Sequence, residues 1–377
     1  MAEDAADAGA DRLPPMDVAG RAVRLWAAVG GRCDGLVVTK PANVRWLTGF
    51  TGSNGAVVVT ADGLTMATDA RYAEQVVQQL DEASVEATVV VQRDVLGALL
   101  DAVDSGMTVG LESHHITWQQ QDRAVELLGQ DRVVPVERAV ERERETKDDG
   151  ELARLALAAS IADGALSSVL SDLPEAVTEK MIARRLEAAM IDLGADDASF
   201  PTIVAAGPNS ARPHAVPSDR ALAVGDLLVI DMGARVDGYG SDMTRTFAVG
   251  SFTAETEAIY RAVEAAQRAG VAAVAPGVST GTVDAACREV LSGHGMAEEF
   301  VHGTGHGIGL EIHESPFLGK SDPVELRADQ VVTVEPGVYR VGVGGVRIED
   351  SVVVTTDGCR PITASPKEPV LTWPRGR

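Results

Sequence analysis

Cysteine is scarce in this sequence: Cys33, Cys287 and Cys359 are far apart, odd in number and without CxxC spacing. That excludes a disulfide framework and a zinc knuckle, and it fits a reducing compartment. Positive charge is also short. Only 33 basic residues stand against 56 acidic ones, a formal net charge of −23. A surface that negative repels phosphate backbones and anionic headgroups, so neither nucleic acid nor membrane is expected as a partner. No run of 18 apolar residues occurs. The opening stretch MAEDAADAGADRLPPMD lacks both a basic n-region and an apolar h-region, and residues 1–15 read as a disordered leader on a cytoplasmic protein.

What is present is of ordinary globular composition, with 45% apolar and 24% charged residues, enough to bury a real core. A length of 377 residues suggests two domains. From 16 to about 136, short β-rich runs (35–39, 56–60, 64–68, 87–91, 108–111, 132–136) alternate with helical patterns at 71–80, 95–103 and 118–128. This predicts an α/β layer with a mixed sheet. The charge run from Glu141 to Asp149 reads as a solvated linker or helix face. It leads into a helix with Leu152, Leu155, Ala159, Ala162, Leu166 and Val169 at three- and four-residue spacing, so the boundary is placed near 140, giving domains 16–140 and 141–377. The second domain carries a faint duplication. A helix, a loop with a histidine and a strand bearing a carboxylate occur at 179–231 and again at 283–335.

Chemistry-bearing residues concentrate in that second domain. DLLVID (226–231) ends in Asp231, and VDGYGSDMTRTF returns through a Gly-rich hairpin to Asp242, so the turn can set two acids side by side. Alone, such acids are commonly turn or cap residues. As a buried pair they require a cation or a shared proton. HGTGHGIGLEIHESP packs His302, His306 and His313 among glycines that let the backbone approach a ligand closely. VVTVEPG delivers Glu335 from a β-branched strand, and VRIED places Arg347 and Glu349 on one strand face, where the arginine can orient a carboxylate from behind. Four carboxylates and a histidine exceed what one divalent ion needs, whereas two ions a few Å apart are well served by bridging acids. Oxygen and nitrogen donors without thiolate favour Mn²⁺, Co²⁺, Fe²⁺ or Zn²⁺ over Ca²⁺. The residues by themselves reach as far as a dinuclear metallohydrolase.

At these motifs the sequence resembles the pita-bread metallopeptidases of the Xaa-Pro aminopeptidase and prolidase branch. NVRWLTGFTGSNGAVVV (43–59) and TDARY (68–72) are similar to strings of the creatinase-type N-terminal domain. The fold implied is α/β and α+β, a creatinase-like N-terminal domain followed by a pseudo-symmetric pita-bread catalytic domain. The resemblance implies two divalent ions, manganese foremost, with Asp231 on one, Asp242 and Glu349 bridging, and His306 and Glu335 completing the other. It also implies His214 and His313 over the substrate, His302 near the proline side, and Glu335 as general base. Creatinase shares the layout without the metal set, and methionine aminopeptidases share HGIG but usually lack the N-terminal domain; the RIED string is of the proline-directed type. The expected activity is an Xaa-Pro aminopeptidase acting on peptides with proline in the second position, as a homodimer. A strict Xaa-Pro dipeptidase is the runner-up, and a non-catalytic peptide-binding protein the remote alternative.

Overall fold

Residues 13–321 and 323–373 of the chain are described by a computed structural model. The expected leader lies outside the described residues up to position 12; Leu13 packs on the core of the C-terminal unit, and the Pro14 carbonyl accepts from Arg154 at 3.0 Å. The chain divides into two compact units, Pro15–Arg144 and the residues from Glu145 onward.

In the first unit the β-branched runs form a six-stranded sheet in the order Thr88–Val91, Gly63–Thr68, Gly55–Thr60, Gly35–Val38, Val109–Glu112, Val133–Val136. It is mixed, as expected. Along that order the five pairs run parallel, antiparallel, antiparallel, parallel and parallel, so Gly35–Val38 is antiparallel to Gly55–Thr60 and parallel to Val109–Glu112. All four residues of Gly35–Val38 are buried, the signature of a strand covered on both faces. Helix Trp118–Leu128 starts where a capping box of Thr117 and Gln120 satisfies its free N–H groups.

The division falls after Arg144, where the sequence pattern places it near 140, and the reading of 141–149 as solvated is corrected. Glu141, Arg144 and Lys147 are all buried. In helix Ala139–Arg144, Glu141 accepts from Asn43 at 2.9 Å and meets His114 Nε2 at 2.7 Å, while Arg144 donates to Asn43 Oδ1 at 2.6 Å. Charge patterning does not distinguish solvated ions from ions that fold back onto polar partners.

The second unit repeats one plan twice. Helices Asp149–Ser171 and Glu179–Asp192 pack on a sheet ordered Val370–Leu371, Met243–Val249, Leu227–Met232, Ile203–Ala206. Helices Ala254–Ala273 and Thr280–Gly293 pack on another, ordered Glu314–Leu318, Gly305–Gly307, Val331–Val334, Asp350–Val354, Cys359–Pro361. Helix Asp149–Ser171 is long and apolar enough to cross a membrane by length and composition, but its Leu155, Ala158, Ala162, Leu166 and Val169 are buried, all but Leu155 in the core of the first half. The two sheets meet where residues 242–246 run against residues 347–351. Glu349 N donates to Thr244 O at 3.1 Å, Thr246 Oγ1 to Arg347 O at 2.7 Å, and Ser351 Oγ to Asp242 O at 2.7 Å. The three cysteines are unpaired.

Candidate metal centre and cleft

The seam between the sheets is where the acids gather. Asp237 (φ 46°) and Gly238 (φ 80°) form a two-residue left-handed turn between Val236 and Tyr239, the geometry that Asp-Gly hairpins favour. The returning strand sets Thr244 opposite Asp231, with Asp242 two residues away on the same face. In the other sheet Val334 pairs with Asp350, so Glu335 and Glu349 flank that pair at the strand ends. His306 comes from the short strand Gly305–Gly307. An added Cβ at Gly305 would lie 1.9 Å from Thr333 O, and one at Gly307 2.3 Å from Ser315 O. These glycines serve close approach between strands, where the sequence suggested approach to a ligand.

The donor atoms of Asp242, His306 and Glu349 lie within 4.8 Å of one another. His306 Nε2 is 3.4 Å from Glu335 Oε1 and 3.6 Å from Asp242 Oδ2. Arg347 lies behind the acids. It donates to Asp231 Oδ2 at 2.7 Å, Thr244 Oγ1 at 3.0 Å, Tyr339 Oη at 2.9 Å and Pro213 O at 3.2 Å. Thr244 Oγ1 in turn donates to Glu349 Oε2 at 2.8 Å, so one arginine orients two carboxylates, one through a hydroxyl.

Burial, together with repulsion from the neighbouring carboxylates, pushes Asp242 and Glu349 well above the usual carboxylate range. Burial raises Asp231 too, opposed by Arg347. Glu335 is held below its ordinary value because the hydrogen bond and charge of His306 outweigh its burial. The pocket thus holds more negative charge than one arginine and one histidine neutralise. Asp231 Oδ1 and Glu349 Oε1 are also buried without a hydrogen-bond partner. Orphaned oxygens aimed into a cluster of hard donors are what a divalent cation satisfies, so the residues present fit one.

The cluster floors a cleft of about 940 Å³. His214, His302 and His313 line it together with Phe200, Ile312, Phe300 and Phe317. The His313 and His306 rings are 4.3 Å apart, and burial together with the charge of His306 lowers the His313 pKa. His302 Nε2 is 2.9 Å from Tyr339 Oη. Burial lowers the His302 pKa and pushes the Tyr339 hydroxyl up to about 12. Every residue singled out in the sequence therefore lines this cleft. Sequence reading missed Thr244 and Tyr339. Thr244 had a signal in sharing a strand face with Asp242.

Comparison with known proteins agrees with this geometry. Residues 153–356 match the metallopeptidase family M24, and residues 23–146 match the creatinase/prolidase N-terminal domain. The chain belongs to metallopeptidase family M24. It carries the pita-bread fold and is a metallo-exopeptidase, and the family binds divalent metal. The chain is 40% identical to the peptidase YqhT of Bacillus subtilis over 90% of its own length and 96% of that protein's. Its structure resembles the Xaa-Pro dipeptidase of Bacillus anthracis at a TM-score of 0.89 and 36% identity, over 94% of this chain and 99% of the other. It resembles the X-Pro aminopeptidase of Thermotoga maritima at 0.83 and 31%, over 92% and 99%.

Proposed function

We propose that this M24 enzyme hydrolyses Xaa-Pro dipeptides. The observation that carries the reading is the convergence of Asp231, Asp242, His306, Glu335 and Glu349 on the floor of one cleft walled by three histidines. These five residues would hold two divalent ions, manganese foremost, with Asp242 and Glu349 at the centre of the donor set beside His306. Such ions, when bound, supply Lewis-acid activation of water and of the scissile carbonyl. The chain's own groups do the rest. Arg347 and Thr244 fix the orientation of Asp231 and Glu349, Glu335 takes up a proton as general base, and His313 and His214 donate hydrogen bonds to the developing oxyanion. His302, braced by Tyr339, faces the imino ring.

The pattern of motifs put an aminopeptidase ahead of a dipeptidase. The fuller likeness to the Bacillus anthracis dipeptidase than to the Thermotoga aminopeptidase supports the reverse order. A homodimer in the cytoplasm, with no nucleic acid partner, belongs to the same reading.

The test compares a matched Xaa-Pro dipeptide and Xaa-Pro-Xaa tripeptide with metal-stripped protein, before and after Mn²⁺, using Asp242→Ala as control. We expect Mn²⁺ to restore dipeptide cleavage in the parent alone, with the tripeptide at least about tenfold slower, a difference of about 1.4 kcal/mol in transition-state binding. Equal or faster tripeptide cleavage moves the aminopeptidase to the front. No cleavage of either peptide under any metal removes the reaction.

A further inference from the structure

Helix Glu179–Asp192 opens with a carboxylate that the reaction does not use. Glu179 is fully buried, and among the described residues it has no cation within ion-pair distance. Its oxygens are satisfied by neutral donors. Oε1 accepts from Ala206 N at 2.7 Å and Asn209 Nδ2 at 3.0 Å. Oε2 accepts from Ser218 N at 2.8 Å, Ser218 Oγ at 2.5 Å and the same Asn209 Nδ2 at 3.1 Å. The positive end of the helix adds to that compensation. A buried carboxylate is costly unless its oxygens are bonded, and every bond that satisfies this one goes to one segment, residues 206–218.

That segment carries His214 to the cleft. His214 is exposed, and among the described residues its ring makes no hydrogen bond, so the backbone beneath it sets its position. Gly345 N donates to Ser210 Oγ at 2.9 Å and Arg347 Nη1 to Pro213 O at 3.2 Å. Those bonds hold the middle of the segment, whereas Glu179 draws its two ends together. The second half of the duplication repeats the device. Asp284, buried in helix Thr280–Gly293, accepts from Thr304 Oγ1 at 2.9 Å and from Arg288 Nε at 2.8 Å. Arg288 donates onward to Phe300 O at 3.1 Å and His302 O at 2.6 Å. In each half a buried acid near the start of a helix grips the loop that brings a histidine to the cleft.

We propose that Glu179 is a positioning residue for His214, clamping both ends of 206–218 so that the imidazole stands over the cleft before substrate arrives. The inference rests on the reading above of His214 as a donor to the developing oxyanion, a contact whose value depends on the donor being fixed in advance. Glutamine at 179 has the shape of glutamate but a single oxygen. Whichever way its amide turns, an NH2 group faces a backbone N–H, that of Ala206 or that of Ser218. One end of the clamp is therefore released with almost no change in volume.

The experiment uses the full-length, Mn²⁺-loaded protein and an Xaa-Pro dipeptide, with Glu179→Gln, His214→Ala and the double variant. We expect Glu179→Gln to lower kcat about tenfold or more with KM changed less than about threefold, because the misplaced group acts in the transition state. The double variant should be no slower than His214→Ala by more than about twofold, since a clamp that works through His214 has nothing left to lose. Mn²⁺ affinity by isothermal titration should be the same in all four proteins. Asn209→Ala, which loosens the clamp from the loop side, should show a smaller kcat loss that also vanishes in the His214→Ala background, and it decides by the same criterion if Glu179→Gln does not fold. An unchanged kcat, an equal loss in both backgrounds, or a loss that follows Mn²⁺ affinity overturns the proposal while leaving the dipeptidase reading intact. Parent-like kcat in His214→Ala removes the oxyanion role of that histidine and this inference together. A parent enzyme that does not cut the dipeptide overturns the reaction itself.

Discussion

Thr244 shows how a site can depend on a residue that carries no charge. Its hydroxyl accepts from Arg347 Nε at 3.0 Å and donates to Glu349 Oε2 at 2.8 Å, and the residue is fully buried. Thr244→Val keeps the shape and removes both bonds, leaving a guanidinium N–H and a carboxylate oxygen unpaired in the interior. Losing such an orienting partner typically costs about 10–100-fold in metal affinity or activity, and leaving a buried group unsatisfied costs about 1–3 kcal/mol. Isothermal titration with Mn²⁺ and kcat/KM at limiting metal should show the loss, and Thr244→Ser should recover most of it. Unchanged metal affinity in Thr244→Val would show that Arg347 alone holds the acids. The acids and histidines were legible in the sequence because charged residues at strand ends and among glycines are conspicuous. Thr244 and Tyr339 were less so, because threonine and tyrosine in a strand look like ordinary β-formers until the fold brings Arg347 against both and the loop residue His302 against Tyr339.

Among the elements, the strands of the first unit and the helices Ala73–Glu82, Val95–Asp101 and Trp118–Leu128 follow from periodicity, the last with the bounds that the pattern gives, whereas helices Arg21–Val29, Pro41–Thr48 and Ala139–Arg144 were not read from it. The short strand Gly305–Gly307 is different. Its glycines signal freedom, whereas the structure uses them to bring backbone within reach of Thr333 and Ser315, a tertiary fact that no local pattern carries. The charge run behaves similarly. Lys147 lies just before helix Asp149–Ser171, and its ammonium meets Glu314 at 2.8 Å with side-chain exposures of 1% and 5%. Glu314 follows His313 directly, so this ion pair ties the start of the catalytic unit to the segment that presents His313 and Ile312 to the cleft. Removing one partner of a buried pair typically destabilises by about 3–5 kcal/mol. Lys147→Met should lower the denaturation midpoint accordingly. The double variant Lys147→Met, Glu314→Gln should lose less than the single one, because no uncompensated carboxylate remains; additive losses in chemical denaturation would contradict the coupling.

At the scale of the whole molecule, function and stability are linked through the acidic floor. Four carboxylates converge at the seam of two sheets, and two of their oxygens have no protein partner, so folding without metal concentrates unfavourable charge where the halves of the catalytic unit meet. Any ion that binds the folded state alone stabilises it by mass action, about 2.7 kcal/mol at a concentration one hundred times the dissociation constant. That stabilisation should be local. The six-stranded sheet of residues 35–136 contributes no donor to the cluster, whereas residues 227–249 and 331–354 supply Asp231, Asp242, Glu335 and Glu349. Hydrogen exchange on chelator-treated protein, with and without Mn²⁺, should therefore show metal-dependent protection in residues 227–249, 305–307 and 331–354, with little change in the strands of the first unit. Asp242→Ala should reduce that response, since it removes both a buried charge and a donor. Protection gained equally across both units would mean that the ion acts through global stability, and protection gained in neither would remove the cluster as a metal site.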